Sequence, residues 1–154
     1  MAGEFHSNDQ CVQYIHDVLD ANKGDLYAGG TTVKGVYYGD VNVIREYPAI
    51  VVVPMPMLRA PRETGYFLDT FTINVFIYHA DITKSKTQRN KDDMALATQV
   101  TDLLHSSPHN RLGGGVIQGW VQREESGRLI GPRGAVVGTR LEWTGMQREP
   151  LIPS

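Results

Sequence analysis

One stretch, Gly65 to His79, constrains the fold of this chain more than any other. Phe71, Ile73, Val75 and Ile77 alternate there with Thr70, Thr72 and Asn74. A period of two places the apolar set on one face and the polar set on the other, which only a β-strand satisfies. A strand cannot stand alone, so the chain must supply neighbours for its edges and a layer for its apolar face. Phe76 and Tyr78 then interrupt the polar face with aromatic rings. The end of this strand should therefore be covered, by another part of the chain or by a neighbouring copy.

Two segments have the periodicity of covering helices. Ser7, with Gln10 three residues on, has the form of a capping box, and Cys11, Ile15, Val18 and Leu19 follow at helical spacing until Asn22, Lys23 and Gly24. This predicts a helix from about Asn8 to Asn22, with Asp17 and Asp20 off the apolar stripe. Asn90 as N-cap, Asp92 and Asp93 in a first turn, and Met94, Ala97, Val100 and Leu104 down one side predict a second helix from Lys91 to His105, closed by Pro108.

The remaining strand signals are Thr31 to Tyr38 after a loop at Tyr27 to Gly30, the β-branched run Ala49 to Val53, Val116 to Glu124, and Gly134 to Thr144. Ala49 to Val53 is apolar throughout and belongs in the middle of the sheet. The last two strands form a hairpin around a polar loop, Glu125 to Arg133. The expected fold is α+β: a single mixed, mostly antiparallel sheet of about five strands, with two helices packed on one face. With 154 residues and 41% apolar side chains, residues 1–154 make one domain, and Pro150 to Ser154 leave it as an extended tail. The longest apolar run, Ala49 to Leu58, is broken by Pro54 and Pro56 and falls short of the about 20 residues of a membrane span. Met1 to Gln10 has no basic region leading into an apolar core, so no secretory signal is expected.

Catalytic signatures are missing from the sequence. Cys11 lies on the apolar stripe of the first helix, where a thiol behaves as a small hydrophobe. His79, Asp81, His105 and His109 would form a metal site only if a strand end met a helix end, and they read more simply as surface and capping residues. Gly113 to Gly115 and the glycines from Gly127 to Gly134 precede strands and lack the Lys-Ser/Thr of a phosphate loop, so they read as turns. Asp92-Asp93 and Glu124-Glu125 are sequence neighbours whose side chains diverge. The expectation is no enzyme, no cofactor and no metal.

Charge is more informative in its distribution than in its total. The net charge of -2 argues against a dedicated nucleic-acid or membrane binder. Residues 1–50 carry three basic and seven acidic side chains, whereas residues 51–154 carry twelve and ten. Basic residues gather in connections: Arg59 and Arg62 before the long strand, Lys84, Lys86, Arg89 and Lys91 before the second helix, Arg128 and Arg133 in the hairpin loop. They form a solvated loop surface, or else oppositely charged flanks by which identical subunits meet head to tail or loops dock on an acidic partner.

The order of elements, with Val75-Phe76-Ile77-Tyr78 ending the long strand, Leu103-Leu104-His105 ending the second helix before Ser106-Ser107-Pro108, and Gly115 preceding Val116 and Val121, resembles the tail terminator and tail completion proteins of long-tailed bacteriophages. The likeness runs from Ser7 to about Trp143. It implies a virion subunit, assembled in the host cytoplasm, that forms a ring, hexameric in that family, at the head-proximal end of the tail. Such a ring ends tail-tube polymerisation and joins the tail to the head connector. The implied partners are copies of the chain itself, the tail tube protein and the connector or neck proteins, with DNA only passing through the lumen and no membrane. Arg59, Arg62, Phe76, Tyr78, Lys84, Lys86, Arg89, Arg128 and Arg133 are the interface residues this reading selects. The loop Arg59 to Glu63 matches no motif of the family. Two other readings are a different neck or head-completion protein stacked on the connector, and a small metal-dependent enzyme built on His79, Asp81 and His105.

Overall fold

A computed structural model describes residues 7–28, 30–39, 44, 46–62, 65–79, 86–113, 117–131 and 134–150. Ser7 caps the first helix, α1 (Asn8–Ala21), as its sequence predicts: Gln10 N donates to Ser7 Oγ at 3.2 Å, and Ser7 N donates to Gln10 Oε1 at 2.8 Å. A short 3-10 turn (Lys23–Asp25) leads into a two-stranded ribbon, β1 (Tyr27–Ala28) with β2 (Thr31–Thr32). The run expected as one strand from Thr31 to Tyr38 is thus two strands in different sheets. β3 (Gly35–Tyr38) continues into the main sheet, followed by β4 (Ala49–Pro54), β5 (Leu58–Arg62) and β6 (Tyr66–His79). Helix α2 (Lys86–His105), a 3-10 turn (His109–Arg111), β7 (Ile117–Gly131) and β8 (Gly134–Pro150) complete the described chain.

The architecture is α+β, but the sheet is larger than the expected five strands. Its order is β3-β4-β6-β8-β7, with β5 also paired to β6. It is mixed, since β3 runs parallel to β4 and every other pair is antiparallel. β6 is the spine. At 14 residues it spans about 46 Å. One of its edges is shared end to end by β5, opposite Tyr66 to Thr70, and β4, opposite Ile73 to Tyr78. β8 pairs with the whole of its other edge.

Four sequence expectations need correction. The connection carrying Arg59 and Arg62 is strand β5, which tolerates Pro61 because its far side is a sheet edge. α2 begins at Lys86, so Asn90 lies inside it and Lys86 and Arg89 are helical instead of loop residues. Met94 is off the core-facing side of α2, 64% exposed, and Leu96 takes its place beside Ala97, Val100 and Leu104. The hairpin loop is much shorter than Glu125 to Arg133: β7 runs on to Gly131, so Arg128 is a strand residue, and β8 extends to Pro150. Cross-strand pairing with β8 overrides the glycines that argue for a loop. Only Pro150 of the expected tail lies within the described residues.

Both helices cover the same face of the sheet. Cys11, Val12, Ile15 and Leu19 of α1 and Leu96, Ala97, Val100 and Leu104 of α2 pack on Val36, Ile50, Val52, Phe71, Ile73, Val75, Ile77, Leu141 and Trp143, all buried. Alternation sends the other side chains of each strand to the opposite face, on which no helix lies among the described residues. β3 and β4, as parallel neighbours, need a crossover. Within it Ile44 and Tyr47 pack over one corner of this second face, against Ala49, Val51, Phe76 and Tyr78.

Candidate functional site

The helix-free face has three zones, set by which strand supplies each side chain. At the β3–β4 corner is an aromatic cluster: Tyr37, Tyr47, Phe76 and Tyr78, with Phe76 and Tyr78 stacked at 6.1 Å and 13°. Tyr78 is buried, and burial, with a smaller contribution from neighbouring Tyr47, raises its phenol above the usual range. The cover that Phe76 and Tyr78 call for thus comes from the chain's own crossover, although Phe76 remains part-exposed.

The central zone is polar. Asn74 on β6 and Thr144 on β8 are 6% and 4% exposed, and neither Asn74 Oδ1 nor Thr144 Oγ1 hydrogen-bonds to any described residue. An unmet hydrogen-bonding atom of this kind costs about 1–3 kcal/mol.

The third zone is a charged ladder on β7 and β8. A bulge between Val121 and Arg123 leaves Gln122 as an extra residue. Gln122 and Arg123 consequently both reach Glu142: Gln122 Nε2 donates to Oε1 at 3.2 Å, and Arg123 Nε lies 3.8 Å from Oε2. Glu125 completes the set, 3.1 Å from Arg140 Nη2 and 3.7 Å from Arg123 Nη1. Arg123 and Glu125 are more than half exposed. Their β8 partners Arg140 and Glu142 are half-buried, and pairs with one exposed member contribute about 1 kcal/mol each, a small part of what holds the sheet together. Trp120 stands beside it, 38% exposed.

The interface residues selected from sequence are scattered. Arg59 Nε donates to Asp69 Oδ1 at 2.7 Å, and Gln147 Nε2 donates to Asp69 Oδ2 at 3.2 Å, making a polar row across β5, β6 and β8. Asp69 is fully buried, so Arg59 holds a structural carboxylate as well as presenting charge. The backbones of Arg62, Lys86, Arg89 and Arg128 are placed on β5, α2, α2 and β7. Lys84 and Arg133 lie outside the described residues. Sequence reasoning missed Arg123, Glu125, Arg140 and Glu142. Their alternate spacing on two strands was a signal, hidden by assigning Glu125 to a loop.

Of the residues weighed for chemistry, Asp81 and the side chain of His79 lie outside what the structure describes, and the others have separate partners. His105 Nε2 accepts from Val121 N at 2.8 Å, and His109 Nδ1 lies 3.0 Å from Tyr14 Oη. Among the described residues no group of three His, Cys, Asp or Glu side chains is placed to hold a metal ion. Cys11 is buried, and burial pushes its thiol up to about 12. A groove of about 330 Å³ between α2 and β7 is lined by Thr98, Thr101, Val121, Gln122, Arg123 and Glu124. Among the described residues no helix is long and apolar enough to cross a membrane. No protein-family model matches the chain, and no curated protein matches it.

Proposed function

We propose that this protein is a structural assembly subunit that closes into a ring at the head-proximal end of a long phage tail, ends tube polymerisation and joins the tail to the head connector. The observation that carries the reading is the helix-free sheet face, with its exposed ion ladder, its exposed Trp120 and its unmet polar atoms. A broad face of this kind is suited to contact with another protein. The sequence's charge asymmetry supports the ring specifically. The acidic first third of the chain builds α1 and the β3 edge, while the later part builds the opposite edge at β7. A head-to-tail ring needs two unlike, complementary flanks on every copy.

Electron microscopy of purified tails incubated with the protein tests this reading. The expected image is an annulus at the head-proximal end of each tube, with mass in solution or on the tube a multiple of one chain. A chain that stays single at high concentration and leaves tubes undecorated and free to elongate overturns it. Decoration of isolated connectors but not of tails would transfer the assignment to another neck component.

A further inference from the structure

Among the described residues β7 is an outer strand of the sheet and, at 15 residues, longer than the other two strands with an unpaired side, β3 and β5. A long free edge offers its backbone groups to any other strand. One such group is already occupied. The Val121 N–H points away from β8 and donates to His105 Nε2, the imidazole of the last residue of α2. The bulge beside it displaces the next residue from the ladder. A side chain from another element thus sits where an incoming strand would make its hydrogen bond, at the mouth of the groove between α2 and β7.

We infer that His105 is a guard on a latent strand-pairing edge, and that the strand it excludes is β7 of a second copy. The charge pattern identifies the occupant. Two β7 strands run antiparallel about a two-fold axis at Glu124 would place each Arg123 opposite the other copy's Glu125, a self-complementary pair on the helix-free face. The two Glu124 side chains would meet at the axis, and their like charge adds to the guard. Such a dimer is isologous and closes on itself, so it would divert chains from any head-to-tail ring. The inference does not depend on the ring reading. It concerns the difference between two forms of one protein, whatever else both assemble with.

The test compares full-length protein carrying His105 with His105→Ala and His105→Gln, the last retaining an acceptor oxygen at the helix end. With His105 present, the Val121 amide exchanges with solvent slowly. In His105→Ala chains that remain single, its exchange accelerates by roughly fivefold to tenfold, the equivalent of one ordinary hydrogen bond. His105→Ala raises the solution mass by one further copy relative to the parent, and His105→Gln restores the parent behaviour. Register is read in a Cys11→Ala, Glu124→Cys background, which lifts the axial charge repulsion and leaves His105 as the guard; oxidation there cross-links chains in higher yield when His105 is replaced by Ala. Unchanged mass and unchanged Val121 exchange in His105→Ala overturn the inference, as does cross-linking of equal yield with His105 intact.

Discussion

Cys11 shows how far one side chain's surroundings decide its chemistry. It is fully buried between α1 and the sheet, and desolvation raises its thiol from 9.0 to about 12. The folded chain therefore keeps a proton that the unfolded chain releases. This contribution to stability is complete below about pH 9 and is lost as the pH climbs toward 12. Urea titrations are expected to show stability falling over that window, and Cys11→Ala to flatten the fall, at a cost near neutrality of about 1 kcal/mol for the small void. Thiol reagents should label native protein only as fast as it unfolds. Rapid labelling of native protein would contradict the burial. The apolar stripe on α1 made this thiol's role legible from sequence alone, because Cys11, Ile15 and Leu19 recur at helical spacing.

Elements were legible where their own periodicity was strong, and illegible where a neighbour supplied the reason for them. α1, β4 and β6 lie within a residue or two of their expected bounds. β5 and the outer half of the β7–β8 hairpin do not, because Pro61 and the glycines argue for loops until β6 and β8 are placed beside them. The cross-strand glycine pair Gly119–Gly145 is another feature of this kind. The indole of Trp143 lies over both, and a Cβ on Gly119 would stand 2.0 Å from Trp143 Cζ2 while one on Gly145 would stand 2.3 Å from Cη2. Trp143 is fully buried and has little room to yield. Gly119→Ala is therefore expected to destabilise the protein by about 1–3 kcal/mol, as overpacked cores do. Combining it with Trp143→Leu should cost less than the two changes separately, a non-additivity that denaturant melts of the four proteins measure directly. Additive costs would show that the indole moves aside freely.

At the scale of the whole molecule, one face of the sheet makes the core, and the other, covered at one corner by Ile44 and Tyr47, carries the charged ladder. Arg140→Glu separates these roles. Arg140 is half-buried but its partner Glu125 is exposed, so the melting temperature should fall by no more than a change of about 1–2 kcal/mol implies. If the protein binds tail tubes through this face as proposed, that binding should nevertheless fall sharply, because reversing one charge in a complementary contact sets like charges against each other. Undiminished binding would remove the ladder from the contact surface. The α+β class, the one-sided helices and the long central strand follow from local pattern, since spacing along a chain dictates which side chains share a face. Which cations meet carboxylates, where Phe76 and Tyr78 find cover, and that β7 ends as an outer strand with His105 against it were settled by packing. These relations join residues far apart in the chain, and strand order and the path of a crossover leave no local periodicity to read.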